Sequence, residues 1–103
     1  MWNIEALTGY KPKTTFWNDF TIAERFGEGA IRGTFKTAFK QWKSNYVYLT
    51  ELAMVLNWKA WDWYEAGNGS LTELYTDLWE AVSEYAHDHL TGEELIYFFR
   101  VTD

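Results

Sequence analysis

Apolar residues recur at steps of three and four along most of this chain, and the pattern is sharpest in its last third. Leu71, Leu74, Tyr75, Leu78, Val82, Tyr85 and Ala86 all fall within about 120° of a wheel turned 100° per residue, which predicts an amphipathic helix over Leu71 to Leu90. A break at Gly67-Asn68-Gly69 precedes it, and Ser70 with Glu73 three residues on has the form of a capping box. Thr91 and Glu94 repeat that device, placing a short last helix from Gly92 to Arg100.

Upstream, Ile31, Phe35, Ala38, Phe39 and Trp42 make a similar stripe and predict a helix over Glu28 to Lys43, although Gly33 inside it costs roughly 1 kcal/mol relative to alanine. Thr15 is placed to cap a helix that carries Phe16, Phe20 and Ala23 inward and stops near Gly27. Pro12 keeps the segment before it extended, and a short helical turn is expected near Asn3 to Leu7.

The stretch from Asn45 to Ala66 reads differently. Leu49, Leu52, Ala53, Leu56, Ala60, Trp63 and Tyr64 share one face, and Val47, Met54, Trp58 and Trp61 lie on a second, roughly opposite one. A helix apolar on both sides is central and covered on both sides, unless the second face is a docking patch for a partner. With no repeat and no long linker, the expected fold is a single all-α, bundle-like domain of five or six helices spanning residues 1–103.

Composition agrees with a folded core. Of 103 residues, 48% are hydrophobic and 20% aromatic, enough large side chains to hold one domain without disulfides or a structural metal. Cysteine is absent, which excludes disulfides, thiolate zinc sites and thiol chemistry and is compatible with a reducing cytosol. The N-terminal residues lack the basic and apolar segments of a signal peptide, and the most apolar run, Tyr46 to Trp61, is broken by Glu51, Asn57 and Lys59. A cytoplasmic protein with no membrane span is expected.

Charge is divided unevenly. Residues 1–60 carry eight basic and five acidic residues, whereas residues 61–103 carry one basic and ten acidic, for an overall net of −6. On the Leu71 to Leu90 helix, Glu73, Asp77, Glu80, Glu84 and Asp88 fall within about 80° of one another, opposite the apolar stripe. Such a line is either a solvated outer face or a row of carboxylates that imitates nucleic-acid phosphates and meets a basic groove on a partner. Arg32, Lys36, Lys40 and Lys43 form the opposite row on the Glu28 to Lys43 helix; a net charge of −6 weighs against direct nucleic-acid binding by it.

Signs of catalysis are thin. His87 and His89 are two apart, so on a helix they point about 200° apart and do not converge on one metal. Glu24 and Glu28 are four apart with no histidine or third carboxylate at di-iron spacing, "FGEGAIRG" lacks the Lys-Ser/Thr of a phosphate loop, and no serine sits in a nucleophile elbow. Neither a catalytic residue nor a metal or cofactor site is assigned.

The phrases "TTFWNDFTIAERFG", "TFKTAFKQWKSNYVYLTELAMVLNWKAW" and "GEELIYFFRVTD" resemble a group of small proteins found among gut bacteria and their phages and mobile elements. That resemblance implies an accessory protein acting by binding a host protein. The combined expectation is a non-catalytic inhibitor of a host nucleic-acid-handling or defence system, anti-CRISPR-like, with Glu73, Asp77, Glu80, Glu84 and Asp88 as electrostatic contacts and Trp58 and Trp61 as aromatic anchors. The alternatives are a small-molecule-binding module with an aromatic pocket beside the central helix, and a self-associating protein, a homodimer, in which the basic row of one copy meets the acidic row of another.

Overall fold

Helix α4, Tyr46–Glu65, is apolar on two sides because it is packed on two sides. In the computed structural model, which describes residues 4–102, it follows α1 (Ile4–Thr8), α2 (Phe16–Glu24) and α3 (Glu28–Trp42) and precedes α5 (Gly69–His89) and α6 (Glu93–Thr102). These are the six helices among the described residues, and no strand accompanies them. The fold is an all-α bundle with a radius of gyration of 13.0 Å, the size expected of a close-packed chain of this length.

Helix α4 is the hub, lying along α5 and touching α2, α3 and α6 as well. Leu49, Leu52, Ala53, Val55 and Leu56 are fully enclosed there, and each large side chain so buried contributes about 1.5–3 kcal/mol. Phe16, Phe20 and Ala23 of α2, Ile31 and Ala38 of α3, Leu74, Tyr75, Leu78, Val82 and Ala86 of α5 and Phe98 of α6 complete one core. The apolar stripes expected of α2, α3 and α5 all face it.

Helix ends depart from expectation in instructive ways. The side chain of Asn68, not Ser70, caps α5, accepting from the Leu71 amide at 3.0 Å. Gly67 adopts φ +78°, a turn that a side chain would resist, and delivers Asn68 in extended backbone, so the helix has already begun when Ser70 is reached. Asn45 caps α4 likewise, accepting from Val47 and Tyr48 at 3.1 and 3.2 Å. At α2 the Thr15 hydroxyl turns to Asp19 at 3.1 Å, and Thr14 Oγ1 takes the Phe16 amide at 3.2 Å. Helix α6 begins at Glu93, its first turn hung on the Gly92 carbonyl, which accepts from Ile96 at 3.1 Å. Of the turn expected near Asn3 to Leu7, Ile4 onward is helical and Asn3 lies outside the described residues.

Two charged residues lie inside this bundle. Glu51 is completely enclosed yet accepts from the Tyr10 hydroxyl at 2.9 Å, the Lys13 amide at 2.7 Å, the Thr14 amide at 2.9 Å and the Thr14 hydroxyl. It thereby fastens the extended segment after α1 to the central helix. Burial first, then the hydrogen bond and charge of Glu51, raises the pKa of Tyr10 above its ordinary value. Lys59, one face further along α4, pairs with Glu24 at 3.3 Å. No helix among the described residues is long and apolar enough to cross a membrane.

Candidate functional site

The acidic row occupies the outward face of α5. All five carboxylates, Glu73, Asp77, Glu80, Glu84 and Asp88, are exposed, and at one helical turn per step they stand about 6 Å apart. The ion pair among the described residues is Lys59 with Glu24, so none of the five has a basic partner within 4 Å. Like charges at this spacing cost helix stability, a cost that a cationic partner would reverse.

The expected aromatic anchors separate. Met54 is buried and Trp58 half-buried, whereas Trp61 remains 59% exposed, so the second apolar face of α4 is covered along most of its length and opens at its C-terminal end. Tyr64, expected in the core stripe, is 61% exposed instead. It lies one residue before the end of α4, where it borders α5 at the rim of a groove rather than in the core. Trp61 and Tyr64 meet edge to face, with ring centroids 5.8 Å apart.

Between these two rings and α5 runs a groove of about 300 Å³, lined by Asn57, Ala60, Trp61, Tyr64, Thr72, Thr76 and Trp79. The Trp79 indole N–H is buried and has no hydrogen-bond partner, an unmet donor of the kind that costs about 1–3 kcal/mol. On the α5 wheel Thr76 lies about 40° from Glu80 and about 60° from Glu73, so the groove and the acidic row are neighbours on one surface. Trp58 is not part of it. Tyr64 and Trp79 are, and the signal available for them was positional: Trp79 falls between the apolar stripe and the acidic line, where a helix meets its neighbour's edge.

A second concavity, a cleft of about 810 Å³ between α2 and α4, has Trp17 and Trp63 in its walls and Glu24 and Lys59 in its lining. The Lys59 ammonium donates to Thr21 Oγ1 at 2.7 Å and Glu24 Oε1 at 3.3 Å and sits 4.1 Å over the Trp17 ring. Glu24 Oε2 accepts from the Trp63 indole at 2.9 Å and the Tyr75 hydroxyl at 2.6 Å. Every donor direction of Lys59 and both oxygens of Glu24 are thus engaged inside the protein, tying α2 to α4 and α5. Burial lowers the Lys59 pKa, partly offset by Glu24 and Asp62, and burial followed by Glu24 raises that of Tyr75.

Glu24 and Glu28 do not face each other as a pair: Glu24 ends α2, and Glu28 opens α3. His89 stacks on Tyr85 at 3.9 Å with its Nδ1 3.0 Å from the Tyr85 carbonyl oxygen, while the His87 ring meets Phe99 at 5.0 Å. The two imidazoles diverge as helical spacing demands, and the described residues hold no cluster of three or more metal-ligating side chains. Comparison of the chain with protein-family models, with characterised proteins and with solved structures finds no match.

Proposed function

We propose that this protein works by binding another protein, through the acidic face of α5 and the aromatic groove at its N-terminal half. The observation that carries the proposal is the adjacency of five exposed, unpaired carboxylates to a groove with two exposed aromatic rings. Exposed Trp and Tyr beside a polar rim is the composition of interface hot spots, and the carboxylate line selects a basic partner surface. A protein whose basic groove handles nucleic acid meets that description. The resemblance to small proteins of mobile elements supplies the context, in which blocking a host defence or nucleic-acid-handling protein is the outcome.

The test is capture of host proteins by the wild type and by a variant carrying Asp77→Lys, Glu80→Lys and Glu84→Lys, with duplex DNA added as competitor. Partners should be released by DNA and lost in the variant. Retention of the same partners by the charge-reversed protein, or indifference to DNA, refutes the role of this face.

A second reading attaches to the cleft between α2 and α4, whose two indoles would report a small ligand directly. Quenching of tryptophan fluorescence by members of a metabolite panel, abolished by Trp17→Ala, would favour it over protein binding.

A further inference from the structure

The basic row of α3 and the acidic row of α5 flank a single aromatic seam. Phe35 and Phe39 stack along α3 with centroids 5.6 Å apart, Tyr85 and His89 stack along α5, and Phe39 meets Tyr85 edge to face at 5.0 Å. Phe35, Phe39 and Tyr85 are only partly buried, and His89 is exposed.

The contact between Phe39 and Tyr85 orients the charges around it. At 100° per residue, Ile31 and Ala38 lie about 80–100° to the core side of Phe39, and Arg32, Lys43, Lys36 and Lys40 lie about 20–100° to the other side. On α5, Leu78, Val82 and Ala86 lie about 20–100° to the core side of Tyr85, and Asp88, Asp77 and Glu84 about 60–100° outward. The outer surface therefore reads, across the two helices, cations, aromatic rings, carboxylates. Arg32, Lys36, Lys40 and Lys43 are all exposed, and none pairs with a carboxylate within 4 Å among the described residues.

That order is self-complementary. A two-fold axis running along the seam brings the basic row of one copy over the acidic row of the other, and the acidic row over the basic one, with the rings in the middle; an axis across the seam would oppose like charges. Isologous interfaces require this kind of matching between one patch and its own rotated image. We infer that a second copy of this chain covers the seam, forming a two-fold dimer in which Lys36 and Lys40 meet Glu84 and Asp88 of the second copy. The partner is thus named by charge pattern. The net charge of −6 on each copy opposes the approach only over distances that salt screens, about 10 Å at 0.1 M, whereas the facing rows act at contact.

The dimer stands apart from the proposed partner groove, which lies at the other flank and other end of α5. Its α3 variant leaves the acidic face of α5 untouched, and that variant keeps the two readings separable. Sedimentation equilibrium should show wild-type dimers that weaken between about 0.1 and 0.5 M salt as the rows are screened. Lys36→Glu with Lys40→Glu makes all four contact positions of the inferred interface negative, and Glu84→Lys with Asp88→Lys makes all four positive; each variant alone should be monomeric, its self-association weakened by at least about tenfold. Mixed in equal amounts they should associate, because the negative contact positions of one variant then face the positive contact positions of the other. Circular dichroism identifies a variant that has failed to fold, in which case the single reversals Lys40→Glu and Glu84→Lys take the same roles. A wild type monomeric at the highest concentration examined, or folded variants that fail to associate when mixed, overturns the inference. A wild type that dimerises but captures no host protein that DNA releases would instead count against the function proposed for α5.

Discussion

Replacing Glu51 by alanine should be among the most damaging single changes in this protein, although no part of Glu51 reaches the surface. Its carboxylate is the sole acceptor shared by the Tyr10 hydroxyl, the Lys13 and Thr14 amides and the Thr14 hydroxyl, and it sits in the middle of the central helix. A hydrogen bond to a charged group is worth about 1.5–3 kcal/mol net, so four bonds set an upper bound well above what will be measured. Lys13 is exposed and its amide recovers water in the variant, and the burial cost of the carboxylate itself is removed with it. What remains is the loss for three donors, the Tyr10 hydroxyl and the Thr14 amide and hydroxyl, and a small cavity, about 3 kcal/mol in all. At a typical urea dependence that shift moves the unfolding midpoint down by about 2 M. Glu51→Gln keeps the volume but turns an NH₂ toward a ring of donors, and should recover less than half of the loss. Residues 10–14 should also become accessible to trypsin at Lys13 under native conditions, since their anchor to α4 is gone. A midpoint within about 0.5 M of wild type, with Lys13 still protected, would refute the view that this enclosed charge fastens the N-terminal segment.

Two further outcomes follow from the caps and the buried tyrosines. Asn68→Ala should destabilise the fold by about 1 kcal/mol in a urea titration, and Ser70→Ala by no more than about 0.3, because only the former removes a cap; the reverse order would restore the capping box expected from the sequence. Stability should fall as pH rises beyond 10.0, the ordinary tyrosine value: Tyr10 and Tyr75 have raised pKa values in the folded state, so the unfolded chain loses protons that the folded one keeps. Each contributes up to about 1.4 kcal/mol per pH unit in that direction. Lys59 acts with the opposite sign, its lowered pKa adding stability as pH climbs toward 10.5, so the decline should be clear only above that point and should be shallower in Tyr75→Phe. Urea melts across this range check it; a flat profile would contradict the protonated hydroxyls beside Glu24 and Glu51.

The helices were legible because their apolar stripes are long, and the acidic face because five carboxylates share one side of α5. The places that escaped have a common physical origin, in that they are decided by what a neighbouring helix covers. Trp58 and Trp61 share a sequence pattern, yet Trp58 is half-buried while Trp61, one turn on, faces water on a side of α4 that no neighbouring helix covers. Ser70 and Asn68 are both good caps, and the choice between them was made by the backbone that Gly67 imposes. Glu51 and Lys59 looked like interruptions of an apolar run that ruled out a membrane span. In a helix covered on both sides, however, a charge at the centre has no water to face and must find partners inside, and that rule would have marked both as buried and paired.

The contrast between α4 and α5 supports the binding face proposed for α5. Glu51 and Lys59, the two charges in the packed part of α4, are buried and spent on the fold: Glu51 on four donors, Lys59 on Thr21, Glu24 and the Trp17 ring. Those on the outer face of α5 pair with no cation within the copy that carries them, repel one another along the helix and would be relieved by any cation brought to them. A fold that had only to keep α5 soluble needs a polar face, and alternating signs at one-turn spacing would meet that need with added helix stability. Five acids without a single intervening lysine or arginine, beside two aromatic rings left in water, instead retain an unfavourable field and an unfavourable exposure on the same surface. Both would be removed together by the basic partner with an apolar anchor that the proposed function calls for.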